Sequence, residues 1–260
     1  MARRPGRGHR HPARRRDAPA GRGVHREPAI GALLARARWP EVEAGQRRLL
    51  VVPLGSLEQH GPHLPLDTDT RIACAVASRA CASRQGVALA PPVAIGASGE
   101  HADFPGTLSI GTAALTTLLV ELGRHASLHW PAMLLVNGHG GNVPAITSAI
   151  RQLRNEGREC HVWHAGLADS DAHAGRMETS LMLALAPTEV LMAAAAAGET
   201  RPIAEIMPVL RARGVRAVSP SGVLGDPAGA SAAEGTKLLG LLVADLDETL
   251  DKLLAGGSND

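Results

Sequence analysis

Two apolar runs, each followed closely by acidic, imidazole or amide side chains, constrain this sequence most. Residues 49–55 are almost entirely apolar, and Glu58 and His60 follow shortly after them. Residues 133–136 form a second such run, which ends in the segment NGHGGN at 137–142. Buried strands of an α/β sheet have this appearance, and ligands of such sheets gather in the crevice beyond the carboxyl ends of the strands. The two runs therefore predict an α/β enzyme with a metal site at one edge of its sheet.

The composition is that of a globular protein with one sizeable core. The chain has 260 residues, of which 45% are hydrophobic and 20% charged, so a single α/β domain of ordinary length is expected. Aromatic residues make up only 2% of the chain, so Ala, Leu and Val must fill the core. The same scarcity leaves little material for stacking nucleic-acid bases, and we expect no nucleic-acid partner.

Strands and helices alternate along the predicted chain. We predict strands at residues 48–55, 87–90, 132–137 and 159–164, with helices at 29–38, 69–84, 112–128, 143–156 and 231–255 and one that begins near Met177. A further short strand is expected within residues 215–226, and a long polar loop at 96–106. Such alternation favours a three-layer α/β/α sandwich with a mostly parallel sheet.

The first 26 residues carry a charge pattern unlike the rest of the chain. They hold nine Arg and one acidic residue, Asp17, so the remainder has 18 basic and 24 acidic residues and a formal charge of about −6. We expect residues 1–28 to be a disordered Arg-rich extension and residues 29–260 to form one domain. Two alternatives stay open: a start codon placed too far upstream, and a tail that binds nucleic acid or an anionic membrane.

Neither a signal peptide nor a membrane span is visible in the sequence. No hydrophobic segment follows the Arg-rich tail, and no stretch reaches the ~18 consecutive apolar residues that a span needs. The three cysteines, Cys74, Cys81 and Cys160, form no CxxC pair, which is typical of a protein in a reducing compartment. We therefore expect a cytoplasmic protein without a membrane partner.

Glu58 and His60 have the spacing of two side chains that can bind the same ion. In an extended segment, residues two apart point the same way, so both can reach one ion. A carboxylate oxygen with an imidazole nitrogen suits Zn, Mn or Fe(II), whereas calcium prefers oxygen ligands alone. Asp69, at the start of the next predicted helix, and His139, between two glycines after the second apolar run, are candidates to complete the site.

A third polar segment, residues 171–180, leads into the helix near Met177. His173 lies just before that helix and Glu178 in its first turn. Two interpretations stay open for Glu178: it caps the helix and interacts with the helix dipole, or it is a metal ligand with His173 as a nearby proton-transfer group. The sequence has no GxGxxG or Walker motif, so nothing in it predicts nucleotide binding.

Three motifs in this order, at residues 54–70, 137–142 and 173–180, resemble those of the creatininase family. The resemblance implies an α/β/α domain, usually assembled as a hexamer. It also implies two divalent metal ions per subunit that activate a water to split amide bonds, with Zn, Fe(II) and Mn as the candidate metals. Position by position, it implies metal ligands at Glu58, His60, Asp69, His139 and Glu178, with Asp69 between the two ions and His173 as the proton donor.

One position departs from the members of the family that hydrolyse creatinine itself. Those members carry a Glu two residues after the His of the second motif, and this chain has Gly141 at that position. The chain therefore resembles the branch with NGHGGN, and creatinine is not the expected substrate.

Several loop motifs resemble one branch of the family more narrowly. Residues 96–101, 109–112, 118–121 and 222–227 are similar to the mycofactocin-system branch, whose enzyme releases a modified C-terminal Val-Tyr unit from a precursor peptide. This likeness implies a modified precursor peptide as substrate and partner. Glu100 and His101 are then candidates for substrate contacts or for support behind the metal ligands, although an acid and a base on a surface loop would have the same sequence.

Two other functions stay open at this point. Another amide hydrolase of the same family, which acts on a cyclic amide or cleaves a formamide in flavin or deazaflavin synthesis, would use the same metal ligands. A non-enzymatic scaffold that binds metal or nucleic acid and uses the Arg-rich tail is the second alternative. The loop motifs, and not the metal ligands, separate the first alternative from the peptidase.

Overall fold

The centre of the molecule is a parallel sheet of four strands. The structure is a computed structural model, which describes residues 1–2, 33–82, 84–168 and 170–256. The strands are β1 (Leu49–Leu54), β2 (Val87–Leu89), β3 (Ala132–Asn137) and β4 (Glu159–His164), in the spatial order β2-β1-β3-β4. All three pairings are parallel. The predicted parallel sheet is confirmed.

Helices connect the strands and cover both faces of the sheet. They are α1 (Trp39–Ala44), α2 (Thr68–Cys81), α3 (Gly111–Ala126), α4 (Val143–Asn155), α5 (Arg176–Leu185), α6 (Ile203–Arg213) and α7 (Ala232–Gly256). Short 3-10 helices occupy Leu34–Arg36, Gly99–His101, Gly140–Asn142, Pro187–Glu189, Met192–Ala194 and Val215–Ala217.

The alternation of side chains along β1 divides the apolar interior into two layers. Leu49 and Val51 point into the core that α2, α5 and α7 close. Leu50 and Val52 point to the opposite face, where they pack with α3 and α4. A parallel strand covered on both faces is apolar at every position, because both sets of alternating side chains are buried. The three-layer α/β/α arrangement is therefore confirmed.

The first predicted helix is wrong in its position. The described part of residues 29–38 holds only the short 3-10 helix Leu34–Arg36, and the α-helix begins at Trp39, with Pro40 in its first turn. The sequence predicts a helix that ends just before Trp39 and Pro40. Proline has no backbone N–H, and the first turn of a helix is where that donor has no partner in any case, so Pro40 starts the helix instead.

The strand predicted within residues 215–226 is also wrong. That segment contains the 3-10 helix Val215–Ala217 and one isolated bridge between Leu224 and His173. Gly222 has a φ of 84°, a left-handed conformation that breaks an extended run. Helix α6, just before this segment, was not predicted, because Pro208 lies inside it and argues against a helix there.

The order of the strands places a crevice beyond β1 and β3. The chain passes from β1 to β2 on one side and then returns to β3 on the other, so β1 and β3 are neighbours whose connections diverge. Such a switch point opens a crevice at the carboxyl ends of the two strands. Leu54 lies opposite Asn137 in the register, so the motifs that follow β1 and β3 emerge side by side.

Two further predictions concern the ends of the chain and its relation to membranes. The prediction of a disordered extension at 1–28 falls almost entirely outside the described residues. Within the described residues, no helix combines the length and apolar character needed to cross a membrane.

Candidate metal centre

Four of the predicted ligands converge in the crevice beyond β1 and β3. Glu58 and His60 follow β1, His139 follows β3, and Asp69 comes from the first turn of α2. None of the four is more than 6% exposed. Their donor atoms and those of His173 and Glu178 form three groups, each within 4.8 Å: Glu58, His60 and His173; Glu58, Asp69 and His139; and His60, Asp69 and Glu178.

The carboxylate of Asp69 lies between the two imidazoles of the cluster. Its Oδ1 is 3.0 Å from His60 Nε2, and its Oδ2 is 3.2 Å from His139 Nδ1. The hydroxyl of Ser56 donates a hydrogen bond to Oδ2 at 2.7 Å, which fixes the orientation of the carboxylate. Burial raises the pKa of Asp69, but the charge of His60 and the hydrogen bonds from both imidazoles outweigh it and hold that pKa well below its usual range.

Glu58 is the least satisfied side chain of the cluster. It is fully buried, and neither carboxylate oxygen accepts a hydrogen bond within the described residues. Nitrogens of His139, His101 and His173 lie 3.1, 3.4 and 3.6 Å from these oxygens. Burial raises the pKa of Glu58. An isolated buried carboxylate is costly unless it is paired or binds a metal, so this donor set fits a divalent cation.

The imidazole of His60 is oriented for ligation. Its Nδ1 donates to the backbone oxygen of Glu58 at 3.1 Å, so Nε2 faces Asp69 Oδ1 and lies 3.8 Å from Glu178 Oε2. A backbone acceptor for one ring nitrogen is the common way in which proteins fix the tautomer of a metal-binding histidine. Burial lowers the pKa of His60, but the carboxylates of Asp69, Glu178 and Glu58 outweigh it and raise that pKa to about 10. The negative charges of these carboxylates thus favour a positively charged group beside them.

Glu178 combines the two interpretations that the sequence left open. It lies in the first turn of α5, and its Oε2 accepts a hydrogen bond from the backbone N–H of Ala174 at 2.6 Å. The same oxygen faces His60, and Glu178 shares a group with His60 and Asp69. Ala174 has a φ of 52°, a left-handed conformation that turns the chain toward Glu178. Burial raises the pKa of Glu178.

His173 lies at the edge of the same cluster. Its Nε2 donates to the backbone oxygen of Gln59 at 2.8 Å, and its Nδ1 is 3.6 Å from Glu58 Oε1. Burial and the neighbouring charge of His60 lower the pKa of His173 to about 4. The imidazole is therefore neutral near pH 7, with Nδ1 as a free acceptor that faces the carboxylates.

Gln59 is a residue that the sequence reasoning missed. Its Oε1 accepts from the backbone N–H of Gly61 at 2.8 Å, so its amide nitrogen donates to the Gly222 oxygen at 3.1 Å and to His101 Nδ1 at 2.8 Å. His101 Nδ1 is thus an acceptor, and Nε2 carries the proton that faces Glu58 Oε1 at 3.4 Å. Its position between two predicted ligands was the only signal in the sequence that could have pointed to Gln59.

Asn142 is a second missed residue, and it joins three loops around the site. Its Oδ1 accepts from the backbone N–H of Ala97, and its Nδ2 donates to the Gly55 oxygen and to Asn137 Oδ1. Asn142 is fully buried. Its bonds therefore hold the ends of β1 and β3 and the loop after β2 at fixed distances from one another.

Glycine is required where β3 runs into the second motif. A side chain on Gly138 would place its Cβ 2.5 Å from the backbone oxygen of Asp69. Because no real Cβ approaches an oxygen so closely, only glycine lets β3 pass this near to the first turn of α2. This close approach is what brings His139 beside Asp69.

Three other polar residues lie near the cluster. Asp67 lies within the first motif but is not among the proposed ligands, and it pairs with Arg71 at 2.7 Å on the surface. His63 is buried and its Nε2 is 2.9 Å from the Thr179 hydroxyl, so it contacts α5 next to Glu178 without facing the carboxylates. Glu100 lies at the mouth of the cluster, with its Oε1 3.3 Å from His139 Nε2.

A separate cavity lies at the opposite end of the sheet. It has a volume of about 480 Å³, and residues that line it include Leu34, Val42 and Trp130. None of the predicted site residues lines it, so the cavity and the acid–imidazole cluster are distinct features.

Comparisons with known proteins agree with this fold. The protein-family model described as "Creatininase: Creatinine amidohydrolase" matches residues 35–250. A protein of Mycolicibacterium smegmatis named "Mycofactocin precursor peptide peptidase" is 54% identical over 201 residues, which is 75% of this chain and 81% of the relative. A protein of the same name from Mycobacterium ulcerans is 51% identical over 216 residues, 80% of this chain and 83% of the relative.

Solved structures give the same result. A mutant creatininase described as of Zn-Zn type has a TM-score of 0.68 and 26% sequence identity, and the match covers 85% of this chain and 97% of that chain. This chain therefore belongs to the creatininase family of metal-dependent amide hydrolases.

Proposed function

We propose that the cluster holds two divalent metal ions. Glu58 and His139 would hold one ion, His60 and Glu178 would hold the other, and Asp69 would be a ligand shared by both. The observation that carries this proposal is that the two oxygens of Asp69 face two different imidazoles, His60 and His139. Zn and Fe(II) are the candidate metals and Mn is possible, since all three accept a mixed set of nitrogen and oxygen ligands.

The chain's own residues orient the reactants in such a centre. Two divalent ions there would supply the chemistry of lowering the pKa of water from ~15.7 toward ~7 and of polarising a carbonyl. The bond from Ser56 keeps the Asp69 carboxylate in place, and His101 directs its N–H at Glu58 from behind. We propose that His101 positions Glu58 and does not contact the substrate.

His173 is the proposed proton carrier. It is neutral at pH 7, because its pKa is lowered to about 4, so it must first accept a proton at Nδ1 before it can donate one. The bond from Nε2 to the Gln59 oxygen holds Nδ1 toward the carboxylates. A proton taken up at Nδ1 can then pass to the departing amine.

The proposed substrate is the mycofactocin precursor peptide. The reaction is hydrolysis of the peptide bond before its modified C-terminal Val-Tyr dipeptide, as a step of mycofactocin biosynthesis. Two relatives with that activity in their names share 54% and 51% of the aligned residues with this chain. The loop motifs at 96–101 and 222–227 lie beside the cluster, because Gly222 bonds to Gln59 and Glu100 faces His139.

Mass spectrometry of the modified precursor peptide tests this proposal. The peptide is incubated with protein loaded with Fe(II), Zn or Mn, and release of the Val-Tyr-derived unit is followed. We expect release that a chelator and the substitution Glu58→Gln abolish, and that Glu248→Gln, a change to an exposed acid on α7, leaves intact. If the loaded protein leaves the peptide intact, the substrate assignment fails, and cyclic amides and formamides are tested next.

Three further parts of the proposal concern the whole protein. We propose that residues 29–260 form a single domain, supported by a family match at residues 35–250. We propose a homo-oligomer, a hexamer by family resemblance, and the exposed apolar side chains of Trp39, Leu108 and Leu191 provide candidate contact surface. A cytoplasmic location is supported by three free cysteines.

A further inference from the structure

Position 141 and the side chain of Glu100 compete for the same space. A Cβ built on Gly141 would overlap Glu100 Oε1 and His139 Nε2, and it would lie 2.5 Å from the backbone oxygen of Ala97. Neither His139 nor the backbone of Ala97 can give way easily, since both are buried. Glu100 can therefore approach His139 only because residue 141 is glycine.

The loop that carries Glu100 is anchored to the site from both sides. The backbone N–H of Ala97 donates to Asn142 at 2.8 Å, and the N–H of Ser98 donates to the hydroxyl of Ser109 at 2.9 Å. Glu100 then lies in the 3-10 helix Gly99–His101, next to the buried His101 that faces Glu58. Two consecutive side chains of this helix thus face the cluster.

The carboxylates of Glu58 and Glu100 meet at Nε2 of His139, whereas Asp69 faces the other ring nitrogen, Nδ1. The backbone oxygen of Ala97 also lies 3.3 Å from Nε2. Glu58 Oε2 is 3.1 Å and Glu100 Oε1 is 3.3 Å from His139 Nε2. Donor atoms bound at ~2.1 Å to a common divalent ion lie about 3.0–3.4 Å apart at octahedral to tetrahedral angles. Glu58 is also fully buried with no hydrogen bond to either oxygen, which independently indicates a cation at this point.

We propose that Glu100 is a further carboxylate ligand of the ion held by Glu58, Asp69 and His139, and that Gly141 is the residue that leaves room for it. This inference rests on the dinuclear centre of the proposed function and adds a ligand to one half of it. Glu100 reaches the ion from the loop after β2, whereas the other ligands of that ion follow β1, begin α2 or follow β3. The ion would thus be bound by four separate segments of the chain.

The proposal can be tested by changing either Glu100 or Gly141. Glu100→Gln keeps the shape of the side chain but removes its charge, whereas Gly141→Ala fills the space of Glu100 and also crowds His139 and Ala97. Asp103→Asn is the matched control, since it neutralises an exposed acid of the same loop. Each variant is loaded with Zn, and its bound metal per subunit is measured by plasma mass spectrometry after dialysis. A chromophoric chelator gives the affinity by competition, and circular dichroism and melting in chelator check the fold.

We expect both Glu100→Gln and Gly141→Ala to weaken one of two zinc sites by at least about tenfold, since even changes to outer contacts of ligands cost 10- to 100-fold in metal affinity. Asp103→Asn should bind zinc like the unchanged protein.

A different pattern would overturn the inference. If Glu100→Gln keeps two zinc ions with unchanged affinity and only the KM for the peptide rises, Glu100 contacts the substrate and is not a ligand. Failure of the proposed function itself would look different, because the unchanged protein would then hold fewer than two zinc ions before any substitution.

Discussion

Two regions of this molecule are buried to the same degree but have opposite chemistry. The interior beside the sheet is filled by side chains such as Leu134 and Leu135, which are at most 1% exposed. A few residues further along the strands, Glu58 and His60 are also fully buried, yet they carry ionisable groups. The first region is closed by apolar contacts, and the second holds the carboxylate of Glu58, whose oxygens accept no hydrogen bond within the described residues.

The contrast separates what stabilises the fold from what the protein does. Burial of apolar surface contributes roughly 25 cal/mol per Å², so the layers around the sheet supply the stability. Buried charges cost free energy unless they are paired or bind a metal ion. The cluster at the end of the sheet therefore does not serve to stabilise the fold. Substitutions in the two regions should therefore have different consequences.

The largest effect on activity is expected from Glu58→Gln. The amide cannot act as an anionic ligand, so metal content should fall and peptide hydrolysis should drop by more than about 100-fold, beyond what outer contacts of ligands cost. The apolar layers are untouched, so the melting temperature in chelator should stay the same or rise, because a buried carboxylate has been removed. Metal analysis, assays and melting curves check the three parts.

The variant His139→Ala should behave in the same way, with metal and activity lost and the fold retained. If either variant is unfolded while the unchanged protein stays folded in chelator, the two regions are not separable. The centre would then be a structural site as well as a functional one.

A smaller loss of activity is expected from His173→Asn. Removal of a general acid–base group lowers kcat by about 10²- to 10⁴-fold, while the metal content should not change, because His173 is not among the proposed ligands. The control is His125→Asn, which changes an exposed histidine of α3. If His173→Asn lost metal in proportion to activity, the residue would belong to the ligands.

The opposite pattern is expected from Leu134→Ala in β3. Leu134 is fully buried between the sheet and the helical layer of α2, α5 and α7, so its truncation should lower the free energy of unfolding by about 2–5 kcal/mol. Activity per folded molecule and metal content should stay unchanged. Leu118→Ala, at a position 38% exposed, is the matched control and should cost no more than about 0.5 kcal/mol. Denaturant titration measures both.

The smallest effect is expected from deletion of residues 2–26. The family match begins at residue 35, so metal content and peptide hydrolysis should be the same as in the full chain. If the deleted protein loses binding to nucleic acid or anionic vesicles and keeps its activity, the Arg-rich segment has an accessory role. A loss of hydrolysis would place that segment in the enzyme's own function.

Much of the sheet could be predicted from local patterns. The apolar runs around Leu49 and Met133 gave the bounds of β1 and β3 to within a residue, because a strand covered on both faces is apolar throughout. Errors occurred where local preference and tertiary context disagree. Pro40 lies in the first turn of α1, where the sequence predicts that a helix has already ended, and α6 contains Pro208, a residue that argues against a helix.

The positions of the candidate ligands were also visible in the sequence. Glu58, His60 and His139 follow strands, and strands of one parallel sheet present their carboxyl ends at one edge. That argument predicts that these three side chains lie close together in the crevice. It does not specify which oxygen of Asp69 faces which imidazole, a feature that depends on the packing of α2 against β3 at Gly138.

The sequence by itself determined the α/β class, the two strands that carry the site and the identity of its candidate ligands, because these follow from local periodicity and motif spacing. Only the tertiary structure decided the hydrogen-bond partners of Gln59 and Asn142. It also decided that the side chain of Glu100 approaches Gly141. These contacts join segments that lie about 40 to 160 residues apart in the chain. Periodicity describes one element at a time, whereas such contacts depend on how the loops of several strands pack together.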